Sequence, residues 1–106
     1  MDDKKTLSSR LIRAVINNDV KLVGYLLNRG ANPNSALDRA NITPLHYAAL
    51  NNALEVIPLL VEAGAILEAE TQPEGYTAIE IAFLHGNYQI AMVLLAYVNE
   101  EDMKLH

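Results

Sequence analysis

The 106-residue sequence contains no cysteine, which removes several chemistries at once: a disulfide framework, a thiol nucleophile, and any Cys-ligated zinc or iron–sulfur site. The lack fits a reducing compartment, and an intracellular, cytoplasmic location is the expectation. Basic residues are few, 8 Lys and Arg against 13 Asp and Glu for a net charge of −5. A protein that neutralises phosphates or docks on anionic lipid needs a basic face, so neither nucleic acid nor membrane is an expected partner. Long apolar runs are missing too. The longest uncharged one near the C-terminus, Ile90 to Val98, falls far short of the roughly 20 residues that span a bilayer. Met1-Asp2-Asp3-Lys4-Lys5 leads into no apolar segment, so no secretory signal is expected. What is present is 51% apolar side chains at modest net charge, too hydrophobic for a disordered chain and of a length for one domain.

The chain repeats itself. A shift of 34 positions aligns Leu11 with Leu45, Ala14 with Ala48, Asn17-Asn18 with Asn51-Asn52, Leu26 with Leu60, and Gly30-Ala31 with Gly64-Ala65. A second shift of 34 carries Thr43 onto Thr77, Leu45 onto Ile79, Ala48 onto Ala82, Leu50 onto Leu84 and Leu60 onto Leu94. Three copies follow, at about 7–37, 38–71 and 72–99, with a C-terminal segment 100–106.

Each copy reads as two short helices. In the middle copy Thr43 is a good N-cap, and Pro44 is tolerated at the first helical position, where an N–H has no intrahelical partner. Asn52 stands where that helix must stop, with Gly86 at the same place in the third copy. A second helix is predicted over Leu54 to Ala63, with Val56, Ile57 and Leu60 on one face, ended by Gly64 as Gly30 ends its counterpart. Pro58 within it removes a backbone donor and crowds the Leu54 carbonyl. Stretches such as Asn32-Pro33-Asn34-Ser35 and Gln72-Pro73-Glu74-Gly75 are turns. Helices this short are marginal alone, so the small residues Ala14, Ala48 and Ala82 let adjacent copies stack into a solenoid held by neighbour contacts.

Thr43-Pro44-Leu45-His46-Tyr47-Ala48-Ala49, Leu54-Glu55-Val56-Ile57 and Leu59-Leu60-Val61-Glu62-Ala63-Gly64-Ala65 together resemble the ankyrin repeat across its full length. Asp38 matches the acidic residue that opens that repeat's turn, and Asn41 stands where the family usually has glycine. Gly75-Tyr76-Thr77-Ala78-Ile79-Glu80-Ile81-Ala82 is similar to a diverged copy without the Pro and His, and the first copy lacks Thr-Pro-Leu-His, as a terminal copy meeting water would. The resemblance implies an all-α helical solenoid of three helix-turn-helix repeats joined by β-turn or hairpin-like loops. Val98-Asn99 replaces the usual Gly-Ala stop in the third copy. Asn99 followed by Glu100-Glu101-Asp102 suits an N-cap and an acidic first turn, giving either a short terminal helix to about Leu105, with Met103 and Leu105 over the end of the stack, or a frayed acidic tail.

Nothing in the pattern points to catalysis. In the turn that His46 resembles, the imidazole bonds back to the threonine hydroxyl and nearby backbone, a structural role. His85 and His106 have no partner at metal-ligand spacing, and no nucleophile elbow, phosphate loop or zinc-protease motif occurs, so no enzyme, metal or cofactor is expected. Glu68, Glu70 and Glu74 read as a solvated loop, lacking the apolar surround that would raise a carboxylate pKa.

The resemblance places binding on turn tips and on the exposed side of the first helices. Carried over by position, this selects Arg39, Ala40 and Ile42 in one turn, Pro73, Glu74 and Tyr76 in the next, and Arg13, Ile16, Asn17, Leu50, Asn51, Leu84 and His85 on the helices. Ile16, Leu50 and Leu84 are aliphatic and 34 apart, and on a stack they form a ladder beside the polar ladder Asn17, Asn51 and His85. An aliphatic stripe edged by polar groups resembles the centre and rim of an interface, although the same residues could pack as core against the second helices. Arg10, Arg13 and Arg39 either add charge complementarity or are ordinary solvated arginines. The expected function is a non-catalytic module holding a partner protein. The alternatives are a homo-oligomer, or a regulatory, inhibitory or exported effector protein that acts by binding.

Overall fold

A computed structural model describes residues 3–104 and shows six helices: α1 Lys4–Ile16, α2 Val20–Asn28, α3 Pro44–Leu50, α4 Ile57–Glu62, α5 Ala78–Leu84 and α6 Tyr88–Lys104. No strand occurs among the described residues. They form three successive pairs, with α3 packed between α1 and α5, and the stack measures 41 × 29 × 23 Å.

The turn that closes each first helix is the same local solution three times over. Asn18, Asn52 and Gly86 adopt left-handed φ of 51°, 56° and 73°. This lets the next amide reach back five residues: Asp19 to the Ala14 carbonyl at 2.9 Å, Ala53 to Ala48 at 2.9 Å, and Asn87 to Ala82 at 2.8 Å. Gly30 and Gly64, at φ 98° and 103°, do the same for α2 and α4, with Ala31 bonded to Leu26 at 3.0 Å and Ala65 to Leu60 at 2.9 Å. The orphan carbonyls of short helices are thereby satisfied without solvent.

Two elements differ from the sequence-based expectation. The second helix of the middle copy begins at Ile57, not Leu54. Pro58 has no amide to offer the Leu54 carbonyl, which instead accepts from Ile57 at 3.2 Å in a tight turn, and the helix starts only beyond it. At the other end, α6 neither stops at Val98 nor restarts at Asn99. It runs unbroken to Lys104, because no glycine is present to take up the left-handed stop that closes α2 and α4. Lys104 lies 3.6 Å from Glu100 one turn back. Met103 is 77% exposed and covers nothing, while Leu105 and His106 lie outside the described residues.

The core is one continuous cluster running through all three copies. Leu11, Leu45, Leu26, Leu60 and Leu94 are fully or almost fully buried in it, and so are Ala14, Ala48 and Ala82. Asparagines tie the copies together. Asn34 donates to the Gly64 carbonyl at 3.0 Å and accepts from the Ile66 amide at 2.7 Å. Asn87 donates to the Ala49 carbonyl at 2.7 Å. Between the loops, the Gln72 amide reaches the Ala40 carbonyl at 2.8 Å and the Asn41 side chain reaches that of Glu70 at 2.8 Å.

Candidate functional site: the open face of the first helices

His46 is almost wholly buried and acts as a structural bracket. The Thr43 amide donates to Nδ1 at 3.0 Å, and the Thr43 hydroxyl lies 2.9 Å from the same nitrogen. Nδ1 is therefore the acceptor and the proton sits on Nε2, which points at the carbonyls of Ala69, 2.9 Å away, and Tyr76, 3.0 Å away. One ring thus caps α3 and clasps the following loop. The third copy keeps only the first half of this device. The Thr77 amide donates to Glu80 Oε1 at 3.0 Å and the Glu80 amide to the Thr77 hydroxyl at 3.3 Å, a reciprocal cap with no donor left to reach onward.

Burial pushes the His46 pKa below its usual 6.5, against the Tyr76 and Ala69 carbonyls, which favour the charged ring. The unfolded chain therefore takes up a proton as pH falls through about 6.5 while the folded chain resists it. Stability is full above that value and declines below it. Thermal unfolding midpoints between about pH 7.5 and about pH 5 are expected to fall more steeply for the native chain than for His46→Gln, which has nothing to titrate there. Equal slopes would refute the assignment.

With His46 inside, the open face is left to the ladder residues. Ile16 is 39% exposed, Leu50 43% and Leu84 67%, so all three project outward rather than into the core. Asn17, Asn51 and His85 beside them are exposed, with the Asn51 amide group bonded to the Tyr47 carbonyl of its own helix at 2.9 Å. Arg13 is exposed at the near end of the same face. Of the turn-tip residues, Arg39, Pro73, Glu74 and Tyr76 are exposed, and Ala40 is half-buried, its amide held by Asp38 at 2.9 Å. Ile42 is half-buried and extends the stripe less than its sequence position suggests. Glu68, Glu70 and Glu74 are solvated, as expected.

The three-copy sequence period finds its counterpart among known proteins. A family profile described as Ankyrin repeats, in three copies, matches residues 11–104. The chain belongs to the ankyrin repeat family. A similar segment occurs in Palmitoyltransferase AKR1 of Kluyveromyces lactis, 30% identical over 103 residues, covering 95% of this chain and 14% of that protein. Protein fem-1 homolog A of Rattus norvegicus is 42% identical over 67 residues, 63% of this chain and 10% of the relative. ANK repeat-containing protein nipk-1 of Caenorhabditis elegans is 35% identical over 75 residues, 69% and 12%. The chain thus spans about a tenth to a seventh of the length of these relatives. Ankyrin repeats are protein-interaction modules and typically non-catalytic, and the relatives named as enzymes are matched over a small part of their length. Among the described residues no helix is long and apolar enough to cross a membrane, and no group of three His, Cys, Asp or Glu could hold a metal ion.

Proposed function

We propose that this chain is a non-catalytic binding module that holds a partner protein on the open face of α1, α3 and α5 and on the adjoining turn tips, in an intracellular setting. The observation that carries the reading is the exposed aliphatic ladder of Ile16, Leu50 and Leu84, bordered by Asn17, Asn51 and His85. Exposed aliphatic side chains gain free energy only when something covers them, and a polar border supplies direction and register. Arg13 and Arg39 at one end, with Glu74 and Tyr76 in the second turn, furnish rim contacts. The face is held because asparagine side chains and loop amides bond one copy to the next, so little conformational entropy is lost on binding. The three copies make up one domain, and the protein works as a scaffold or inhibitor by occupancy, without cofactor.

Leu50→Arg tests this. The side chain is already exposed, so the fold should survive, and circular dichroism would check it. Partners captured from a lysate of the source organism by the native chain are expected to be lost by about tenfold or more with the variant, equivalent to ~1.4 kcal/mol at a central contact. An unchanged partner list would sink the proposal.

A further inference from the structure

The two ends of the stack are not alike. Comparing equivalent positions shows which side of each copy faces onward. Val15 and Ala49 are fully buried against the following copy, whereas Phe83, the same position in the third copy, is 47% exposed. Gly24 and Pro58 are half-buried and Met92 is 58% exposed; Leu27 and Val61 are half-buried and Leu95 is exposed. Tyr88 adds its ring beside Phe83, with centroids 6.1 Å apart at 49°. The outer face of α5 and α6 is therefore an inter-repeat seam that nothing among the described residues covers. In the opposite direction Pro44 and Ala78 are buried against the preceding copy, and their counterpart in the first copy is the exposed Arg10. Leu59 and Val93 are half-buried, and their counterpart is Tyr25, exposed beneath the Arg29 guanidinium 5.6 Å from its ring.

Charge divides along the same axis. Residues 1–37 carry six Lys and Arg against three Asp and Glu, net +3, while residues 38–106 carry two against ten, net −8. Glu80 on α5 and Asp102 on α6 are exposed, Glu100 and Glu101 lie on the side of α6 that faces Val61, Glu62 and Leu67 of the preceding copy, and Lys4, Lys5 and Arg10 lie on α1 at the other end. At the seam position where His46 donates onward, Glu80 offers a carboxylate, which favours a cationic donor across the interface.

We propose that the α5–α6 end face of one molecule takes the α1–α2 end of a second copy of this chain, head to tail, continuing the inter-repeat seam between molecules. Phe83, Met92 and Leu95 are covered by the first helix pair of the next copy, with Tyr25 against them, and Glu80 meets Arg10. A tail-to-tail pair would instead bring two acidic ends together. The arrangement is heterologous and does not close on itself, so mass should climb with concentration rather than stop at a dimer. It uses the ends of the stack and leaves the ladder face open, so it stands independently of the partner-binding proposal.

Sedimentation velocity across a concentration series at low and high salt tests it. The native chain is expected to grow beyond the dimer mass at low salt and to shrink as salt rises. Met92→Lys and Arg10→Glu, each altering an exposed position at opposite ends, are each expected to remain monomeric alone and to associate when mixed, because each keeps the end the other lacks. Leu95→Lys should repeat the effect of Met92→Lys. A native chain that stays monomeric at every concentration overturns the proposal. So does Arg10→Glu forming a dimer by itself, which would mean a tail-to-tail contact, and so does a mixture that fails to associate.

Discussion

Leu60→Ala is expected to cost about 2–5 kcal/mol of unfolding free energy, as buried leucine truncations do when the surroundings cannot close over the void. Leu60 is fully buried on α4, and its counterparts Leu26 and Leu94 are buried in the same continuous cluster. Its surroundings are fixed on several sides. The helix is short and pinned at its start by Pro58 and at its end by Gly64, whose left-handed turn bonds Ala65 back to the Leu60 carbonyl itself at 2.9 Å. Little slack remains for collapse. A domain of this size has about 5–15 kcal/mol in all, so the loss is a large fraction of the total. Urea titration followed by circular dichroism should show a lower midpoint at an unchanged slope, since the same surface is exposed on unfolding. A cost below about 1 kcal/mol would mean that the seam repacks freely.

His46→Ala is expected to cost about 2–4 kcal/mol, and for a different reason. The truncation leaves the Thr43 amide without its acceptor and takes the Nε2 donor from the Ala69 and Tyr76 carbonyls, two of the groups that hold the next loop. Orphaned buried polar groups cost about 1–3 kcal/mol each, less where water can enter. The loss should be largest locally. Amide hydrogen exchange in residues 69–77 is expected to accelerate more than in α1 and α2, because the bracket joins the second copy to the third and does not touch the first. His46→Gln, which retains a side-chain donor, should recover part of the stability. Uniform loss of protection through the chain would contradict a bracket that acts at one junction.

The proposed end-to-end contact and the ladder draw on different surfaces, so the two proposals fail separately. Leu50→Arg leaves Phe83 and Met92 untouched, and Met92→Lys leaves the ladder untouched. A chain that loses its partners yet keeps its association, or the reverse, assigns each behaviour to its own face.

Much of this molecule is written in short-range chemistry, and the sequence by itself determined that part. The Thr43 and Thr77 caps, the left-handed stops at Asn52, Gly86, Gly30 and Gly64, and the half of the His46 bracket that closes on Thr43 follow from residues within a few positions of one another, and the 34-residue period repeats them. Their geometry is set by the backbone they sit on. Two local readings nonetheless missed. Pro58 shortened α4 because a missing amide counts for more than the apolar spacing around it, and α6 ran on because a favourable cap at Asn99 does not by itself stop a helix that lacks a left-handed residue.

Only the tertiary structure decided which face of each helix meets water. Ile16, Leu50 and Leu84 sit next to buried neighbours on the chain, and a rotation of one residue would have made them core; packing of α3 between α1 and α5 fixed that rotation. The same holds for the ends. Val15, Ala49 and Phe83 occupy one position in the repeat, yet two are buried and one is not, because burial depends on what stands beside a residue in space and a sequence pattern records only the residue.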